Sequence, residues 1–169
     1  MANSIWLDIE STAFSSRIAS SEWMFPTIET IHVFSIVTVI GCIAIMDMRL
    51  LGINSNNRTV QALERDTIPL TWMAFALAAI SGTLLFVSKA TSYMVNPFFL
   101  WKMGLMVVAG INMAIFHRIF SKGVQQWGQP GATIPIGAKI SGLVSLALWM
   151  IIPLCGRIVG FTLGSYYNY

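Results

Sequence analysis

A chain of 169 residues that is 56% hydrophobic and only 10% charged, with mean hydropathy +0.71, cannot clothe its surface in water; an ordinary soluble domain is about 25% charged. The values exclude a disordered chain and a secreted disulfide scaffold. They also exclude a nucleic-acid binder, because ten Lys and Arg against seven Asp and Glu are spread singly and form no basic stripe.

Residues 1–24 have neither a basic start nor a continuous apolar run, so they do not read as a cleaved signal. Ile5, Trp6, Ile9, Phe14 and Ile18 are interleaved with Asp8, Glu10, Ser15 and Arg17. That mixture suits an amphipathic helix lying in the membrane interface, with Trp6 and Trp23 at headgroup level. A solvated tail with scattered hydrophobes is the competing reading.

Four apolar segments follow within residues 25–165, each long enough for the roughly 20 residues of helix that a bilayer needs. They run from about Pro26 to Leu51, Ile68 to Val87, Pro97 to Phe120, and Pro135 to Leu163. Only helix satisfies its own backbone hydrogen bonds in lipid. The expected fold is an all-α, four-transmembrane-helix up-down bundle with an N-terminal interfacial amphipathic helix. Pro26, Pro69, Pro97 and Pro135 fall near expected helix starts, where a missing N–H costs nothing, and Pro153 should kink the last span. Residues 166–169 form a tail in which Tyr166, Tyr167 and Tyr169 read as an interfacial anchor.

Loop charges set the expected orientation. Arg49, Arg58, Arg65, Arg118, Lys122 and Lys139 outnumber Arg17, Lys89, Lys102 and Arg157, placing both termini outside a bacterial inner membrane, in the periplasm. Cys42 and Cys155 fall at different depths, so two free thiols are expected.

Ionisable groups inside a bilayer are costly, and each calls for a partner or a role. Glu29 and His32 share a helix face on the first span, at a depth comparable with Lys102 and Arg157 on the third and fourth. Two readings are open. Either the cluster neutralises itself, or His32 ligates a metal or haem, with Glu29 orienting it and Lys102 or Arg157 holding propionates. A di-iron centre needs a second Glu-x-x-His motif and further carboxylates, which the chain lacks.

On the third span Met103, Met106, Gly110, Met113 and His117 recur at intervals of three and four and form one stripe. Methionine filling core gaps is the plainer reading. Gly110, however, leaves room for something flat beside the helix. His32 lies about 9 Å from its helix start and His117 about 30 Å from its own, so the imidazoles stand roughly 20 Å apart in depth. One iron cannot take both within one chain. The residues therefore point to b-type haem (heme b), up to two per chain, ligated by His32 and His117. Met103 is a candidate sixth ligand at one site, and Met46, Met73 or Met113 at the other. The function would be electron transfer within or across the membrane.

Copper is the alternative cofactor, with Met103, Met106, Met113, His117 and Cys42 as soft ligands for Cu(I). A cofactor-free scaffold or accessory subunit is the third reading. Gly156, Gly160 and Gly164 give overlapping G-x-x-x-G steps, which suit either packing within the bundle or contact between copies in a homo-oligomer. Beyond the lipid bilayer and further copies, no partner or redox donor is named by the residues.

Several ordered polar residues carry a resemblance. They are His32, the run from Asp47 to Gly52, Pro69 with Trp72, Ser81 with Gly82, and Asn96 with Pro97. Lys102, Gly110 with Asn112, His117 with Arg118, and Gly156 with Arg157 complete the set. Over nearly its whole length the chain resembles a family of short four-helix bacterial inner-membrane proteins of unknown function. The resemblance implies the location, the fold and a b-type cytochrome role. A looser similarity links it to four-helix di-haem membrane cytochromes, which normally supply four histidines, whereas this chain has two.

Overall fold

The computed structural model describes residues 2–53 and 57–166. Two short helices, α1 (Ala2–Glu10) and α2 (Ala13–Ser20), precede the long α3 (Met24–Leu51) and α4 (Val60–Ser88). A six-residue helix, α5 (Ala90–Val95), leads into α6 (Pro97–Ile119); a 3-10 turn at Ser121–Gly123 and α7 (Val124–Trp127) then lead to α8 (Ile136–Thr162). No strand occurs among the described residues. Helices α3, α4, α6 and α8 are each long and apolar enough to cross a membrane, so the protein is an all-α, multi-pass four-helix bundle.

The helix ends follow from local chemistry. Ser21 Oγ accepts from the Trp23 and Met24 N–H groups at the start of α3. At its other end Gly52, at φ +77°, takes the left-handed conformation that glycine adopts without strain. There the Ile53 N–H donates to the Met48 carbonyl and the Gly52 N–H to the Arg49 carbonyl, which closes the helix with paired reverse bonds. Asn96 starts α6 by accepting from the Phe98 N–H, and Pro97 occupies the first helical position.

Helix α4 begins eight residues earlier than the hydropathy suggests, and Pro69 therefore lies within the helix instead of at its start. Thr59 caps it, accepting from the Ala62 N–H. Val60, Leu63 and Thr67 form a buried stripe along this polar first section. Pro153 lies inside α8, as expected. Cys42 and Cys155 are both free thiols. Of the expected tyrosine anchor, Tyr166 is exposed in the turn after α8, whereas Tyr167 and Tyr169 lie outside the described residues.

The chain divides into two compact units. The first comprises residues 1–37, 74–103 and 153–169; it gathers the start of α3, the end of α4, the start of α6 and the end of α8. This alternation of starts and ends is what an up-and-down course produces. Helices α1 and α2 are fixed to this unit by specific contacts. Ser15 Oγ donates to the Val87 carbonyl at 2.8 Å, and Glu10 accepts from both the backbone and the hydroxyl of Thr91. Trp6 meets Phe86 edge-on, and Phe86 stacks on Phe99 beside Tyr93. Asn96, fully buried, donates from Nδ2 to Thr162 on α8.

The second unit comprises residues 38–73 and 104–152. One apolar cluster joins Leu50, Val60, Phe116, Val124, Ile134 and Ala138, and a second joins Ala109, Leu148 and Ile152. Asn112 on α6 and Ser141 on α8 exchange two hydrogen bonds, Nδ2 to the Ser141 carbonyl and the Ser141 hydroxyl to Oδ1. Gly137 lies directly against the Phe120 ring, so α8 approaches the end of α6 where no side chain intervenes.

Candidate functional site

Five of the expected site residues, Glu29, His32, Lys102, Met103 and Arg157, belong to the first unit, but only His32 and Lys102 turn inward. His32 is half-buried on α3 with its ring edge seated on Gly82 of α4; a Cβ there would stand 2.8 Å from Cε1. Its Nδ1 lies 3.0 Å from Ser81 Oγ, and the Ala78 carbonyl is beside the ring. Ser81 has a single hydroxyl proton, which it donates to the Leu77 carbonyl at 2.7 Å. When that proton is on the Leu77 carbonyl side, the imidazole supplies the proton of the Nδ1–Oγ bond and Nε2 is the basic nitrogen of the neutral ring.

Lys102 of α6 is half-buried within electrostatic reach of His32 and Cys155. Its ammonium runs past Gly156, where a Cβ would lie 3.5 Å from Nζ, an ordinary contact. Glu29 is exposed, and it is Ser81, not Glu29, that orients His32. Arg157 is exposed too, its guanidinium 4.5 Å from the Phe161 ring centre. Among the described residues the one ion pair within 4.0 Å is Arg58 with Asp66, so the expected neutralisation of Glu29 by Lys102 or Arg157 is not formed. No group of three or more His, Cys, Asp or Glu able to hold a metal ion occurs among these residues.

His117 belongs to the second unit and lies exposed on α6, with Glu64 of α4 in electrostatic reach. Its Nδ1 is 3.0 Å from the Met113 carbonyl. A carbonyl only accepts, so Nδ1 is again the protonated nitrogen and Nε2 the basic one. Of the methionine stripe, Met103 and Met113 are exposed, whereas Met106 packs against the Ala109, Leu148 and Ile152 cluster. Gly110 has open space where a side chain would be. The soft ligands of the copper reading are thus divided between the exposed face and the interior, where Cys42 is also buried.

Two buried polar residues were not singled out as site residues by the sequence. Arg49, at 2% exposure, donates from Nε to the Arg58 carbonyl and from one Nη to the Gly128 and Gln129 carbonyls. Asp47 is buried with Ser145 as its hydrogen-bond partner, while its Oδ2 has none. Charge at a helix end reads as a solvated loop residue, and only the fold reveals the carbonyls that converge on Arg49.

Comparison of the chain with protein-family models, curated proteins and solved structures gives no match.

Proposed function

We propose that the chain is a bacterial inner-membrane b-type cytochrome, with one haem site at His32 and another at His117, that transfers electrons within or across the membrane. One observation carries this reading. Both histidines of the chain hold Nδ1 at 3.0 Å from a neighbouring oxygen, the kind of contact that orients an imidazole to offer Nε2 to iron. At His32 the orienting partner is a serine hydroxyl, and Lys102 offers a cation to a propionate. At His117 it is a backbone carbonyl, and Gly110, seven residues earlier, leaves the helix flat enough for a planar group to lie along it. Bound haem would supply one-electron chemistry; the protein's part is to hold each ring and set the charge around it. Each site has one histidine, so a second axial position falls to a methionine, a second copy of the chain, water or nothing.

Purified protein from a haem-sufficient host should give a reduced-minus-oxidised difference spectrum with a haem-to-protein ratio near two. His32→Ala and His117→Ala should each remove a different spectral component. Absence of any Soret band overturns the proposal. Loss of the same single component in both variants would replace two sites with one shared between copies.

A further inference from the structure

The second unit contains a cavity of about 340 Å³ beside the start of α8, lined by Arg49, Lys139, Thr133, Gly52 and Gly131 among others. That volume is at the lower end of the range for ligand pockets, roughly 300–1,000 Å³. Two cations line it and no carboxylate does. Neither cation is in an ion pair within 4.0 Å among the described residues. The nearest acid in sequence to Arg49, Asp47, is occupied with Ser145 of α8, and Asp66 is held by Arg58.

Arg49 is costly as it stands. A nearly fully buried guanidinium that meets only carbonyl oxygens keeps its whole positive charge in a poorly solvated place. Those three carbonyls also lock the side chain, so no ordering remains to be done when an anion arrives. Lys139 lies in the first turn of α8, a 27-residue helix whose unpaired N–H groups and dipole favour negative charge at this end. Gly52 and Gly131, both at φ +77°, put no side chain into the cavity, and Thr133 adds a hydroxyl. The cavity lies where α3 ends and α8 begins, at the ends of two membrane-crossing helices. Basic pockets at that level are where phosphate headgroups are recognised.

We infer that this cavity binds a phosphate group, supplied either by an anionic phospholipid headgroup or by free inorganic phosphate. The inference is independent of haem, since none of the lining residues belongs to the sites at His32 or His117.

The test is thermal unfolding of the full chain in a nonionic detergent, titrated separately with phosphatidylglycerol and with inorganic phosphate. Saturable stabilisation by one of them is expected. Lys139→Gln should weaken it about tenfold, the order expected for losing one charge-assisted bond. Lys139→Arg should preserve it, as should Lys122→Gln, an exposed cation outside the cavity. A response to phosphatidylglycerol alone identifies the lipid headgroup, and a response to inorganic phosphate identifies the free anion. No saturable response, or one that Lys139→Gln leaves unchanged or Lys122→Gln weakens equally, overturns the inference.

Discussion

Ser81 has one proton and three neighbours that can accept it, the Leu77 and Ala78 carbonyls and His32. Whichever way the proton goes, Ser81 Oγ is the side-chain contact that orients the imidazole. Ser81→Ala removes the side-chain hydrogen bond of the half-buried ring, at a cost of about 1 kcal/mol. Gly82→Ala sets a methyl 2.8 Å from Cε1 and must push the ring away. Both variants should alter the spectral component that His32→Ala removes and spare the one assigned to His117, as read by difference spectroscopy. Asp47 permits a second test at this scale. With Oδ2 unpartnered, Ser145 is its one hydrogen-bonding neighbour, so Ser145→Ala should lower stability by about 1–3 kcal/mol. Asp47→Leu combined with Ser145→Ala should recover most of that loss in thermal unfolding, because no buried charge is then left alone. The two histidines stand out in the sequence because intramembrane ionisable groups are rare. Their orienting partners do not, since a serine on another helix and a carbonyl four residues back leave no mark in composition.

At the scale of elements, the four long helices could be read directly, because a run of about 20 apolar residues has few other interpretations. Which face each turns inward was far less legible. In lipid both faces of a helix are apolar, so hydrophobicity does not mark the interior; small and polar groups do. Ser35, Ser81, Ser88, Asn96 and Ser141 are buried, whereas Met103, Gly110, Met113 and His117, a single stripe by periodicity, lie exposed. The start of α4 was missed because Glu64, Arg65 and Asp66 look like a loop, although Thr59 as cap and the Val60, Leu63 and Thr67 spacing announce a helix. Short α5 carries its own test. Burial, reinforced by the Glu29 charge, pushes the Tyr93 phenol up to about 12 from an ordinary 10.0. Between those values the unfolded chain has released its proton while the folded one retains it, so stability must fall as pH rises through this window. That difference corresponds to roughly 3 kcal/mol. Tyr93→Phe should flatten the alkaline limb of thermal stability between pH 10 and 12, compared with wild type.

For the whole molecule, the proposed electron transfer depends on two sites, one early in α3 and one late in α6. Helices α3 and α6 both begin in the first unit; His32 is the ninth residue of the one and His117 the twenty-first of the other. Each helix is continuous and long enough to span a membrane, with His32 in about the third turn of α3 and His117 in about the sixth turn of α6. A chain arranged in this way would receive an electron near one face and release it near the other. The test uses sealed vesicles containing haem-loaded protein, with ferricyanide trapped inside and dithionite added outside. Dithionite gives up electrons that the protein carries inward, and ferricyanide takes them to become ferrocyanide. Wild-type vesicles should reduce the trapped oxidant severalfold faster than protein-free ones. Both His32→Ala and His117→Ala should fall to the protein-free rate, since either gap breaks the path. If one variant keeps the wild-type rate, its histidine is no part of a transmembrane route, and transfer at the remaining site stays within one face of the bilayer.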